Sequence, residues 1–192
     1  MVPLNEGKEG QIMRKSEGGT NLTTRNQYVR LCIAESLLRL MEEKPFEKIT
    51  ITEIVKRASV SRMTFYKYYS AKLEVLSDYM YEIVNDYMEE SRRRTDIGNF
   101  RDYKHICHCF TFFKQYSSFI LILIHANMHA VIMNALNDYM DTYVLPTSEF
   151  SRYELYYYAG ALCNTYLKWI ESGMNESPDE IAMMVKLAVG TK

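Results

Sequence analysis

Residues 58–76 read ASVSRMTFYKYYSAKLEVL, a stretch that interleaves Arg62, Lys67 and Lys72 with Thr64, Phe65 and tyrosines at 66, 68 and 69. A helix that only covered a core would not need so many hydrogen-bonding side chains between its apolar residues. The set suits a polyanion that also carries base edges. A guanidinium such as that of Arg62 can donate two hydrogen bonds to O6 and N7 of guanine, and Thr64 can meet a thymine methyl or a phosphate. Tyr66, Tyr68 and Lys72 fall where they can grip phosphates. The charge agrees. Although the 192-residue chain carries a net charge of only −1, residues 44–72 hold seven basic and two acidic side chains. A local basic cluster on a near-neutral protein is compatible with a specific polyanion binder but is not by itself diagnostic of one.

Other chemistries find less support. The run His105-Ile106-Cys107-His108-Cys109 and the pair His125/His129 carry metal-ligand atoms, and the latter pair shares a helix face. No CxxC or HExxH pattern accompanies them, and Cys107 and Cys109 point apart on a helix, so no metal site is expected. There is no nucleophile–base pair, no readable carboxylate pair and no phosphate loop, so neither catalysis nor a cofactor is expected. Four scattered cysteines (Cys32, Cys107, Cys109, Cys163) suit reduced thiols in the cytoplasm better than a disulfide framework. The longest apolar run, Phe119–Ile124, is far too short to span a bilayer. The opening residues, with Glu6, Lys8 and Glu9, contain no hydrophobic stretch of the kind a signal peptide has.

The elements that position the basic stretch are legible from caps and periodicity. Residues 1–22, with glycines at 7, 10, 18 and 19, are expected to form a flexible tail. Thr24-Arg25-Asn26-Gln27 reads as a capping box opening a helix to about Glu43, ended by Pro45. Thr50-Ile51-Thr52-Glu53 is a second capping box, for a short helix to Ala58. Ser61 caps a third helix, Arg62 to Tyr69, and Ser70 a fourth, carrying Leu73, Leu76, Met80, Ile83 and Met88. After Gly98, helices are expected at about 99–115, 117–126, 128–144 and 148–172. The last of these stops at Gly173, a left-handed residue. Ser177-Pro178-Asp179-Glu180 opens a final helix. The fold class is all-α, with about nine helices. It divides into a DNA-binding unit at 23–75 and a helical effector-binding and dimerisation unit at 76–192.

Two short helices joined by Ser59, Val60 and Ser61 make a helix-turn-helix, wedged by Ile51, Ile54, Val55, Ala58, Val60, Phe65 and Tyr69. The second helix then presents its first turn, capped by Ser61, outward to the major groove. At these residues the chain resembles the TetR family of bacterial transcriptional regulators. The resemblance lies in ITITEIVKRASVSRMTFYKYYSAKLEVL, residues 49–76, and extends closely over about 24–80. It implies that Thr50, Tyr66, Tyr68 and Lys72 contact phosphates, while Thr52, Arg62, Met63, Thr64 and Lys67 lie near bases. One departure stands out: the family's turn glycine is Ser59 here. If that position needs a positive φ, the substitution costs about 1–2 kcal/mol.

The remainder is too acidic and apolar to be a DNA surface, with ten basic and fifteen acidic residues in 76–192. In the long helix, Leu155, Ala159, Leu162, Tyr166 and Trp169/Ile170 form one apolar stripe. Tyr153, Tyr157, Gly160, Ala161 and Asn164 form another. A helix apolar on two sides is central or shared with a second chain. TetR-family proteins pair their two last helices across a two-fold axis, which implies a homodimer through Tyr157, Gly160, Ala161, Asn164, Ile181, Met184, Val185 and Ala188. Such a dimer reads a palindromic double-stranded operator. Residues 156–182, YYYAGALCNTYLKWIESGMNESPDEIA, further resemble a TetR subgroup common in Firmicutes, part of which is similar to the activator of dihydroxyacetone kinase genes, a regulator that responds to a protein partner. The family's regulatory body corresponds to about 99–144. There Tyr103, His108, Phe112, Phe113, Tyr116, His125, Met128, Tyr139 and Tyr143 are candidates to line an aromatic effector pocket. The expected output is a repressor released by a small effector, or alternatively an activator or corepressor governed by a partner protein.

Overall fold

Helix follows helix from Asn21 to Val189, and the computed structural model describes residues 21–189. Among these there are nine α-helices and no strand: α1 Asn21–Glu43, α2 Ile51–Arg57, α3 Arg62–Tyr68, α4 Lys72–Arg93, α5 Tyr103–Lys114, α6 Ser117–His125, α7 His129–Tyr139, α8 Arg152–Glu171 and α9 Pro178–Val189. The tail expected at 1–22 lies outside the described residues up to residue 20, and residues 21 and 22 already belong to α1.

Side-chain caps set the starts of α2, α3, α8 and α9. Thr50 and Glu53 satisfy each other's amides in a capping box, and Ser61 Oγ accepts from the Thr64 amide at 2.9 Å. Ser177 and Glu180 exchange bonds in the same way at the start of α9. Gly173, at φ +91°, closes α8 as its left-handed residue, with the Met174 amide bonded back to Trp169 O at 2.8 Å.

Five expectations are corrected. Thr24 has helical residues before and after it, so it is not a cap. Ser70 is not the cap of α4 either. The boundary residue is Ala71, and Glu74 reaches back to bond the Ser70 amide at 2.7 Å. Leu73, at 46% exposure, lies outside the apolar stripe of α4. The helix expected over 128–144 is regular only to Tyr139; Met140–Val144 widen into a π turn and Leu145–Thr147 tighten into a 3-10 turn. Pro146 has no amide with which to continue the ladder, and α8 starts afresh at a Ser151–Glu154 capping box rather than at Ser148.

One buried cluster runs from Ile33 on α1 through Phe65, Leu76 and Phe110 to Val185 on α9. The boundary expected between residues 75 and 76 therefore falls inside α4. Val75 and Leu76 are fully buried at its start, and Ile83, Val84 and Tyr87 are buried farther along. Thus α4 belongs to both units, packing on α1 at one end and on α7 at the other. No single described helix is long and apolar enough to cross a membrane.

Candidate nucleic-acid interface

The turn between α2 and α3 is set by Ser59, which stands at φ +54°, while the Val60 amide bonds Val55 O at 3.0 Å. This is the left-handed region that glycine enters most readily, and here a serine adopts it. Phe65, fully buried, and Tyr69, 5% exposed, pin the inner face of α3. Its outer face carries two strips at helical spacing, Arg62 with Tyr66 and Met63 with Lys67. All four are exposed, Met63 at 84% and Tyr66 at 53%.

The ten residues expected at DNA divide by what their polar atoms already do. Thr52, Arg62, Tyr66 and Lys67 make no hydrogen bond or ion pair among the described residues, and apolar Met63 stands open beside them. The other five are engaged. The Thr50 hydroxyl donates to Glu53 at 2.8 Å, and Ser61 Oγ lies 2.8 Å from Thr64 Oγ1 as well as capping α3. The Tyr68 phenol donates to Asn26 on α1 at 2.6 Å. Lys72 reaches across to the 3-10 turn Phe46–Lys48, donating to Phe46 O, to Glu47 O at 3.2 Å and to Ile49 O at 2.8 Å.

Lys72 and Tyr68, both expected at phosphates, thus place their donors within the chain. An ammonium has three donors, and Lys72 has placed all three on carbonyls; Tyr68 has placed its one. Sequence spacing locates such residues on the right side of the helix but not the acceptors that fold up beside them. Burial pulls the Lys72 pKa below its ordinary value.

Behind the reading face, the phenol of Tyr69 and the guanidinium of Arg30 converge on Asp78 of α4. Arg30 also bonds Glu82 at 2.8 Å. Sequence reading missed this cluster, because its members lie on three helices separated by up to 52 residues. Around the interface, Arg57 is paired with Glu43 and Lys44 with Glu53, whereas Arg62 and Lys67 on the reading face have no ion pair among the described residues.

The residues expected to form an effector pocket do not gather in one place. His108 and Phe112 are buried against Tyr87, a residue the sequence reading had not singled out. Its ring stacks on His108 at 5.4 Å and meets Phe112 and Phe113 at 5.3 and 5.2 Å. Tyr116 adjoins Phe112, with ring centroids 5.6 Å apart. Tyr139 meets Tyr87 at 6.2 Å and, with Tyr143, Tyr81, Asn85 and Asp138, also lines a surface cleft of about 280 Å³ between α4 and α7. Tyr103 bonds Asp179 on α9, His125 is exposed at the end of α6, and Met128 sits in the turn before α7. Aromatic composition signalled a cluster here, but its rings serve mainly as packing.

The dimer residues also separate. Tyr157, at 75% exposure, and Asn164 are open on α8, Gly160 and Ala161 are half-buried, and Met184 and Ala188 are exposed on α9. Ile181 and Val185, at 8% and 5%, are covered by their own chain, as α9 packs on α5. These two therefore leave the candidate surface; Met183 and Leu187 are the exposed apolar residues of α9 that the sequence reading passed over.

A helix-turn-helix with an exposed basic recognition helix, mounted through α4 on a helical body, defines a DNA-binding regulator. Residues 33–79 match the bacterial regulatory proteins of the tetR family, and residues 103–189 match the transcriptional regulator C-terminal region. The chain belongs to the TetR family of transcriptional regulators. Its fold is similar to that of a TetR transcriptional regulator from Streptococcus agalactiae 2603V, at 16% identity and TM-score 0.61, covering 88% of this chain and 98% of that one. It is similar also to a TetR-family regulator from Syntrophomonas wolfei str. Goettingen, at 16% identity and TM-score 0.57, covering 89% and 98%. A third likeness is to the dihydroxyacetone kinase operon activator DhaS, at 18% identity and TM-score 0.54, covering 84% and 93%. Comparison with curated protein sequences gives no match.

Proposed function

We propose that this chain is a cytoplasmic, homodimeric, sequence-specific regulator that binds a palindromic operator as a repressor and is released when the helical body receives a signal. It works by binding rather than catalysis. The observation that carries this reading is the exposed strip of α3, in which the side chains of Arg62, Tyr66 and Lys67 make no hydrogen bond or ion pair among the described residues. One such helix reads only a few base pairs; two related by a two-fold axis read half-sites about 34 Å apart. The residues that bear on bases are Thr52, Arg62, Met63 and Lys67, with Tyr66 on the flanking phosphate.

The signal has two readings. A small effector acting on the body would favour a dimer whose recognition helices no longer match the operator spacing. Control by a partner protein, giving an activator or corepressor, is favoured by the close packing of His108, Phe112, Phe113 and Tyr139 around Tyr87. Those rings occupy the region where an effector pocket was expected.

The test is selection of bound fragments from a random DNA pool at about 150 mM salt, repeated with Arg62→Ala. Enrichment of a two-fold palindrome that blurs at one position per half-site in the variant supports the reading. Weak binding without a motif, strongly dependent on salt, removes it.

A further inference from the structure

We propose that Met63 reads the C5-methyl group of a thymine in each half-site, beside the base pair contacted by Arg62. The inference rests on the DNA-binding reading above and names part of the sequence that the site selects.

Met63 is 84% exposed and makes no contribution to the core of the head, where Phe65 and Tyr69 hold α3 in place. A single exposed methionine elsewhere on a surface needs no explanation. This one occupies the first turn of the recognition helix, the part that meets base edges. It shares a strip with Lys67 one turn on, and Arg62 precedes it on the neighbouring strip. A long apolar side chain is therefore set between two cations that have no anionic partner among the described residues.

That combination constrains what can lie against it. The cations call for a polyanion, while the thioether calls for an apolar contact at the same spot. In the major groove the apolar group that a base pair presents is the thymine methyl; the remaining edge atoms are hydrogen-bond donors and acceptors. A nearby polar alternative is already occupied, because Thr64 Oγ1 lies 2.8 Å from Ser61 Oγ within the cap. Methionine also suits the task mechanically, since its unbranched, polarisable chain can adjust to the methyl without a fixed rotamer.

The experiment uses the selected operator and the full-length protein. Each thymine of the half-site is replaced in turn by deoxyuridine, which keeps the base pair and removes only the methyl. Binding is measured for the wild type and for Met63→Ala. One thymine position per half-site should be sensitive in the wild type, weakening binding about fourfold for one half-site and about fifteenfold for both, as expected for burial of one methyl group at each. Met63→Ala should bind the thymine operator more weakly and lose the discrimination at that position. Its melting temperature should be unchanged, since the side chain lies outside the core.

Deoxyuridine tolerated at every position by the wild type would overturn the inference while leaving an Arg62-dependent palindrome, and so the parent reading, intact. A uridine penalty that persists in Met63→Ala would assign the methyl contact to another residue and overturn it equally. Selection that returns no motif removes both readings together.

Discussion

The phenol of Tyr69, at the C-terminal end of α3, donates a 2.6 Å hydrogen bond to Oδ2 of Asp78 on α4, and the same oxygen accepts from Nε of Arg30 on α1 at 2.9 Å. One carboxylate thus ties the recognition helix to both long helices of the head. The Tyr69 ring is nearly fully buried, and burial followed by the hydrogen bond to Asp78 pushes its pKa well up, so it remains a donor at any ordinary pH. Tyr69→Phe keeps the ring and removes the donor. Loss of a hydrogen bond to a charged group should lower stability by about 1.5–3 kcal/mol, read as a fall in the urea midpoint. Asp78→Asn should cost more, because it also leaves Arg30 with Glu82 as its remaining carboxylate partner. A double variant no worse than Asp78→Asn alone would show that the two positions act through the same bond.

Ser59 offers a test in the opposite direction. It stands at φ +54°, where a Cβ crowds the backbone. Ser59→Gly relieves that strain but gives the unfolded chain more freedom. The net expectation is a stabilisation of about 1 kcal/mol, with operator affinity per folded molecule unchanged. A destabilised glycine variant would mean that the serine makes a compensating contact in solution.

Lys72 carries a prediction different from the one its spacing suggests. Were it a phosphate contact, Lys72→Ala would chiefly flatten the salt dependence of DNA binding, by about one unit. Because its ammonium instead clamps the carbonyls of Phe46, Glu47 and Ile49, the main loss should be in stability, about 2 kcal/mol. The salt slope of the folded variant should stay close to the wild type. A full unit of slope lost at unchanged stability would restore the phosphate role.

Glu53 links the head to pH. The Lys44 ammonium, and then the amide and hydroxyl of Thr50, hold its carboxyl down at about 2 against an ordinary 4.5. The unfolded chain therefore takes up this proton first as the pH falls. The associated stability is fully present above about 4.5 and is lost between 4.5 and about 2. Arg94 holds Asp96 at about 2 in the same way, so the wild type loses stability in this window through more than one group. Comparison of urea midpoints for wild type and Glu53→Gln across the window isolates the Glu53 share. The variant should start lower at neutral pH and fall less steeply. Parallel curves would remove Glu53 from the acid response, and high salt should shrink the difference because the side chain is exposed.

What the sequence revealed and what it hid divide along a physical line. The cap pairs Thr50–Glu53, Ser61–Thr64 and Ser177–Glu180 lie within three residues of each other, so their geometry follows once a helix is assumed. The hydrophobic wedge of Phe65 and Tyr69 follows from helical spacing. Ser70 misled because a serine before a helix can be the cap or can receive the Glu74 side chain, and composition does not distinguish the two. The intrachain partners of Lys72 and Tyr68, Phe46–Ile49 and Asn26, were hidden because they are set by tertiary approach. Tyr87 escaped notice for the same reason: rings from α5 and α7 converge on it only after the helices pack.

Gly160 bears on the oligomeric state. It lies inside α8, and a Cβ built on it meets nothing within 4 Å of its own chain. An interior helical glycine costs about 1 kcal/mol relative to alanine, and no packing within the protomer requires it. Tyr157 and Asn164, one turn to either side, are exposed. A second copy of this face would need the missing side chain for close backbone approach. On the proposed dimer, Gly160→Leu should therefore fold with undiminished helicity but elute as a monomer, with the wild type eluting as a dimer. Trp169→Ala should behave otherwise. Trp169 is 3% exposed, packs on Phe110 and donates to Glu176 O at 3.0 Å, so its loss should unfold the body, by about 3–5 kcal/mol, rather than dissociate it. Light scattering with circular dichroism separates the cases. A Gly160→Leu protein that remains a stable dimer would move the interface to another face.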